Sequence, residues 1–199
     1  YTAYNSETAI VPRHYAWDSL LHTPHATYRG TQNFVSGAQA SADTISRMNN
    51  GVGLVSYESH GWWGGWDRMN INDIPGMNNG TRLPTVISIT CETGMFDTSD
   101  GDCFCEALLA KAGGGGVAVV GCTRVSYAGA NDWFRHGIFE SFWPDYFETL
   151  ATIPGYKSYL SYDDNYVGHG PRMGQAVNYG RVVLYDKRAN GKQDYVQYD

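Results

Sequence analysis

The chain has 199 residues, enough for one domain with a sizeable hydrophobic core. Hydrophobic residues make up 42% and aromatic residues 14%, which argues against a disordered chain, and the formal net charge of -6 argues against phosphate backbones and anionic membrane surfaces as partners. No apolar run approaches the roughly 20 residues of a membrane-spanning helix, so neither nucleic-acid binding nor membrane insertion is expected.

Residues 1–44 are set apart as an N-terminal segment, and 45–199 as the main domain. Residues 1 to 30 are polar and aromatic, with Pro12 and Pro24, and predict mostly irregular structure. Ala42, Ile45 and Met48 fall on one face of a helix predicted over Ala38 to Asn49. Asn49-Asn50-Gly51 closes it, since Asn and Gly accept the left-handed conformation at a helix end. Val52 to Tyr57 predicts a strand, followed by a loop from Glu58 to Trp66. A second strand, Thr85 to Thr90, runs directly into Cys91. Cys103 to Ala112 predicts a helix with Phe104, Leu108 and Leu109 inward, ended by Gly113 to Gly116. Val117 to Gly121 is a third apolar strand. Trp133 to Leu150 predicts a helix broken at Pro144, Gly174 to Tyr179 another helix, and Arg181 to Tyr185 another strand. The alternation of Asp194 to Tyr198 predicts one more strand. The chain stops one residue after it, at Asp199, and together with Tyr1 at the start this suggests ends cut from something longer.

Strand, loop, helix and strand in that order imply an α/β fold with a mainly parallel sheet covered by helices. Reactive groups in such sheets collect beyond the carboxyl ends of the strands. His60 and Cys91 each follow a predicted strand, so both are expected at one rim.

That pairing has a chemical meaning. Cysteine catalysis needs a thiolate, a base that moves its proton, and donors for a developing oxyanion. Cys91 at the strand end, before the turn Glu92-Thr93-Gly94, is the candidate nucleophile. His60 is the candidate base, and the backbone N–H groups of Gly61 and Cys91 are the candidate oxyanion hole. A lone strand-end cysteine is more often an inert core residue, and a lone histidine among tryptophans more often a packed surface residue. Two adjacent strands delivering both to one rim make the stronger case.

The remaining cysteines, Cys103, Cys105 and Cys122, are odd in number once Cys91 is reserved, which disfavours a disulfide framework. Cys103-x-Cys105 is too tight for the usual structural zinc pattern, so no metal site is expected there. Asp97 to Asp102 has the acid density and glycine turn of a Ca²⁺ loop. It lacks EF-hand spacing and the bidentate Glu, and reads better as a polar turn. The chemistry requires no cofactor.

Longer stretches resemble the gingipain family of cysteine peptidases. Gly53-Leu54-Val55-Ser56-Tyr57-Glu58-Ser59-His60-Gly61 with Trp66 is similar to that family's histidine loop. Leu83 to Asp97, around Thr90-Cys91-Glu92-Thr93-Gly94, looks like its nucleophile segment. Cys105-Glu106-Ala107-Leu108-Leu109, Gly115 to Gly121 and Met173-Gly174-Gln175-Ala176-Val177 follow in the family's order. The resemblance covers roughly residues 45 to 185. It implies a caspase-like α/β/α sandwich, here without the family's additional N-terminal subdomain and closing C-terminal turn. It also implies a secreted or cell-surface endopeptidase acting on peptide or protein substrates, with His60 as general base and Cys91 as nucleophile. Another segment or chain of the same precursor is then an expected partner. The related alternatives are a gingipain-like transpeptidase and a catalytically silent binding domain on the same fold.

An orienting carboxylate for His60 is expected, with Glu7 and Glu58 as candidates. Trp62, Trp63 and Trp66 offer either the walls of a substrate pocket or a hydrophobic cap over the sheet edge. Tyr127 stands where the family's loops border the primary pocket. The family's preference for basic residues implies a pocket acid, for which Asp67, Asp97, Asp163 and Asp164 are all candidates.

Overall fold

The computed structural model describes residues 37–142 and 172–189, with side chains described over 41–142 and 172–186. The chain divides into two compact units, Tyr1–Ser126 and Tyr127–Asp199.

The first unit is built on a parallel sheet. Helix α1 (Gly37–Asn49) leads to β1 (Leu54–Glu58), three short strands β2 (Gly61–Trp62), β3 (Gly65–Trp66) and β4 (Met69–Asn70), and a 3₁₀ turn at Ile74–Gly76. Strand β5 (Thr85–Ile89), helix α2 (Phe104–Ala110) and strand β6 (Ala118–Gly121) complete it. The main sheet has the order β1-β5-β6, with both pairings parallel. Its central strand shows why the sequence reads as it does. A parallel strand covered on both faces is apolar almost throughout, and Val86, Ile87 and Ile89 are fully buried. Around it pack Met48 of α1, Trp66, Met69, Ile74, Met77, Phe104 and Leu108.

Two devices fix the crossover from β5 through α2 to β6. At the start of α2, the Cys103 backbone N–H donates to Glu106 Oε2 at 2.9 Å, satisfying one of the donors that a helix start leaves open. At its far side, buried Asn79 donates from Nδ2 to the Gly115 carbonyl at 3.0 Å and accepts the Gly115 N–H at 2.9 Å. Gly115 holds φ +95, the left-handed region that glycine enters without penalty.

The loop expected from Glu58 to Trp66 instead folds back on itself as the antiparallel sheet β2-β3-β4. Leu109 does not point inward. It is half exposed on the outer face of α2, which ends at Ala110. Val117 is likewise exposed, and β6 begins one residue later.

The second unit contains helices α3 (Ala128–Phe142) and α4 (Met173–Ala189). The strand expected over Arg181 to Tyr185 is absent: those residues continue the helix that includes Gly174 to Tyr179. Valine and tyrosine favour strands locally, but Ala176, Tyr179 and Val183 are buried at helical spacing, and that packing overrides propensity. The two helices approach closely because both present glycine. A Cβ on Gly137 would lie 2.7 Å from Gly180 Cα. Helix α3 starts five residues before the expected Trp133. Its expected break at Pro144, the irregular stretch 1 to 30 and the strand at 194–198 lie outside the described residues. Among the described residues, no helix is long and apolar enough to cross a membrane.

Candidate active site

The last pair between β1 and β5 is Glu58 with Ile89. His60 and Cys91 each lie two residues beyond that pair, so the two loops leave neighbouring parallel strands at the same level. They also touch. A Cβ on Gly61 would meet Thr90 Oγ1 and Cγ2 at 2.8 Å and the Gly65 carbonyl oxygen at 2.8 Å. Only glycine leaves room for the residue after His60 to lie against the residue before Cys91.

Beyond β5 the chain turns sharply. Glu92 adopts φ 59, an uncommon left-handed conformation for a non-glycine residue. The turn is stitched to the segment after β6: the Glu92 N–H donates to the Arg124 carbonyl at 3.2 Å and the Gly94 N–H to the Cys122 carbonyl at 2.9 Å. Half-buried Cys91 therefore faces Ser126, whose backbone N–H donates to Sγ at 3.4 Å. The thiol in turn reaches the Ser126 carbonyl at 3.5 Å, with the hydroxyl at 3.9 Å. Ser126 was not singled out in the sequence. The rim argument that selected His60 and Cys91 also applies to the end of β6, and it is the signal that could have found this residue.

His60 is exposed, and its carbonyl accepts the Tyr57 hydroxyl at 2.8 Å. Trp62 is exposed beside Gly61, at 41%. Trp66 does not wall a pocket. It is a core residue, 3% exposed, stacked on Tyr57 with ring centroids 4.5 Å apart and donating from Nε1 to Ser88 Oγ at 2.8 Å. The hairpin β2-β3 turns it inward, where a large aromatic surface gains more from burial than from solvent. Trp63 accepts the Phe104 N–H at its carbonyl, tying this loop to the start of α2. Tyr127 belongs to the second unit and carries an exposed ring.

Of the candidate carboxylates, Glu58 is half-buried at the end of β1, and Glu7, Asp163 and Asp164 lie outside the described residues. Asp67 is exposed. Asp97 is engaged by Arg124 through two parallel bonds of 3.0 and 2.7 Å, and hydrogen bonding by that guanidinium holds its carboxyl below the usual range. Further along the same acidic loop, the Thr98 hydroxyl donates to Asp100 Oδ2 at 3.2 Å. Among the described residues, no group of three or more His, Cys, Asp or Glu side chains could hold a metal ion.

The other thiols are buried or half-buried. Burial pushes the thiols of Cys103 and Cys122 up, and that of Cys105 up to about 12. Burial, reinforced by the nearby Asp67 charge, also pushes the Tyr57 phenol up to about 12. Both shifts make the folded state hold protons that the unfolded chain has already lost at high pH. Stability is then complete below about 9 and falls as pH rises from there towards 12. Denaturant midpoints measured from pH 7 to 11 should show this decline, and Cys105→Ala should flatten it. A flat profile in the unaltered protein would contradict these shifts.

A thiol and an imidazole carried past adjacent strands of a parallel, helix-covered sheet define a caspase-like α/β protein. The model of peptidase family C25 matches residues 2–198, and the chain belongs to that family. The fold is similar to that of the Arg-specific cysteine proteinase gingipain R, with a TM-score of 0.59 at 21% identity, covering 78% of this chain and 33% of that one. It is also similar to a complex of the pro- and mature domains of RgpB from Porphyromonas gingivalis, with a TM-score of 0.60 at 18% identity, covering 94% of this chain and 42% of that one. The chain thus spans less than half the length of either of these structures. It matches no curated protein sequence.

Proposed function

We propose that this chain supplies the nucleophile and the general base of a cysteine endopeptidase. His60 takes the Cys91 proton, and the thiolate attacks the carbonyl carbon of a peptide bond. The backbone N–H groups of Gly61 and Cys91 hold the resulting oxyanion. On collapse of the tetrahedral intermediate, the imidazolium gives its proton to the departing amine, leaving a Cys91 thioester. His60 then deprotonates a water that hydrolyses the thioester, restoring the thiol and releasing the carboxylate product. Trp62, exposed next to Gly61, borders the site where the substrate side chain lies.

The observation that carries this reading is the contact between Gly61 and Thr90. It puts the neighbours of His60 and Cys91 against each other at the rim, past strands that end in register. In this reading the chain acts with another segment or chain of the same precursor, outside the cell or on its surface.

The test is covalent. The protein with its whole catalytic region should be modified once by a peptidyl acyloxymethyl ketone set that varies the side chain before the warhead, and peptide mapping should place the adduct on Cys91. Absence of any Cys91 adduct across that set would overturn the proposal.

A further inference from the structure

The half-buried and buried polar groups between the two loops form one continuous frame. Starting at the histidine, the His60 carbonyl accepts the Tyr57 hydroxyl at 2.8 Å, and the Tyr57 hydroxyl oxygen in turn accepts the Asp67 N–H at 3.4 Å. The Tyr57 ring lies nearly parallel to that of Trp66, at 12°. An indole nitrogen can only donate, so Ser88 Oγ accepts from Trp66 Nε1 at 2.8 Å. Ser88 Oγ also shares a 2.8 Å hydrogen bond with Thr93 Oγ1. Ser88 and Thr93 are fully buried. Thr93 belongs to the turn that carries Cys91, and its carbonyl accepts the Cys105 N–H at 3.0 Å.

A half-buried phenol and a buried serine and threonine each cost free energy unless hydrogen-bonded, which favours the arrangement that satisfies all three. Tyr57 is the member whose hydroxyl leaves the core and binds the backbone of the candidate base itself. Its raised pKa keeps that hydroxyl a donor throughout the physiological range. Trp66, Ser88 and Thr93 then carry the other end of the frame to the turn holding the nucleophile.

We propose that Tyr57 is a positioning residue, which sets the histidine loop through the His60 carbonyl and is locked to the Cys91 turn by Trp66, Ser88 and Thr93. This rests on the reading of His60 as the base. Tyr57→Phe keeps the ring stack and removes only the hydroxyl, so the loop keeps its place in the core while the imidazole loses its register with the thiol. A displacement of about 1 Å at a catalytic group costs on the order of 10²-fold, and the effect falls on kcat because the imidazole and the Gly61 N–H, which shares the peptide group of the His60 carbonyl, both act in the transition state.

The experiment measures turnover of fluorescently labelled casein by the protein with its whole catalytic region, comparing the unaltered form with Tyr57→Phe, Ser88→Ala and His60→Ala. Tyr57→Phe should lower kcat by about 10- to 100-fold with the apparent KM within about twofold. Ser88→Ala, which cuts the frame at its centre, should lower kcat in the same direction and serves as the deciding variant if Tyr57→Phe fails to fold. Retention of kcat within about twofold in the folded variant, with only a lower melting temperature, would show a purely structural role and overturn the proposal. Retention of kcat in His60→Ala would instead overturn the assignment of the base, so the two failures are separable.

Discussion

Replacing Cys91 with alanine should reduce cleavage of labelled casein by roughly 10⁴-fold or more, to the level of the uncatalysed background. The size of the effect follows from the lack of a substitute. Cys122 is the neighbouring thiol, but burial raises its pKa and keeps it in the poorly nucleophilic protonated form. Cys103 and Cys105 are buried around the start of α2, with raised pKa values of their own. The fold should survive the change, because the Cys91 side chain is half-buried and its partner Ser126 meets it mainly through backbone groups. An unchanged circular dichroism spectrum and denaturant midpoint would confirm that the loss is chemical. If Cys91→Ala kept more than about one part in a hundred of the activity, the nucleophile would lie elsewhere.

Replacing His60 with alanine should lower kcat/KM by about 10²- to 10⁴-fold, the span that a positioned general base contributes. This loss should be smaller than that at Cys91, since water or added buffer base can still take the thiol proton. Because His60 is exposed at the rim, added imidazole has access to the vacated position and should recover part of the rate in a concentration-dependent way. Tyr57 still holds the residue 60 carbonyl in this variant, so the loop path is retained. Equal rates for the variant and the unaltered protein would remove His60 from the mechanism.

Both effects depend on loops that the sequence made visible to different degrees. The apolar run of β5 and its direct continuation into Cys91 are legible because a strand buried on both faces is apolar almost throughout, with Ser88 the hydrogen-bonded exception. The histidine and its following glycine are legible by type, since few residues can serve as a base and few backbones can approach so closely. Local signals misled where packing had the final word. Val182, Val183 and Tyr185 favour strands, yet the face formed by Ala176, Tyr179 and Val183 packs as a helix. Trp66 looks like Trp62 in sequence, but one is buried against Phe104 and the other is exposed. Which side of a short hairpin faces the core depends on its register, and a shift of one residue would exchange them.

The amino-acid order by itself determined the α/β class, the two strands that end at the candidate pair, and the residue types able to do thiol chemistry. These rest on hydrophobic patterning and side-chain chemistry, which are properties of short stretches. Only the tertiary structure decided that Ser126, 35 residues further along, lies against the Cys91 sulfur, and that Arg124 engages Asp97. The same holds for Ser88, which links Trp66 to Thr93. Contacts of that kind are set by how β5 and β6 align and how the loops beyond them close, and no local pattern encodes that alignment.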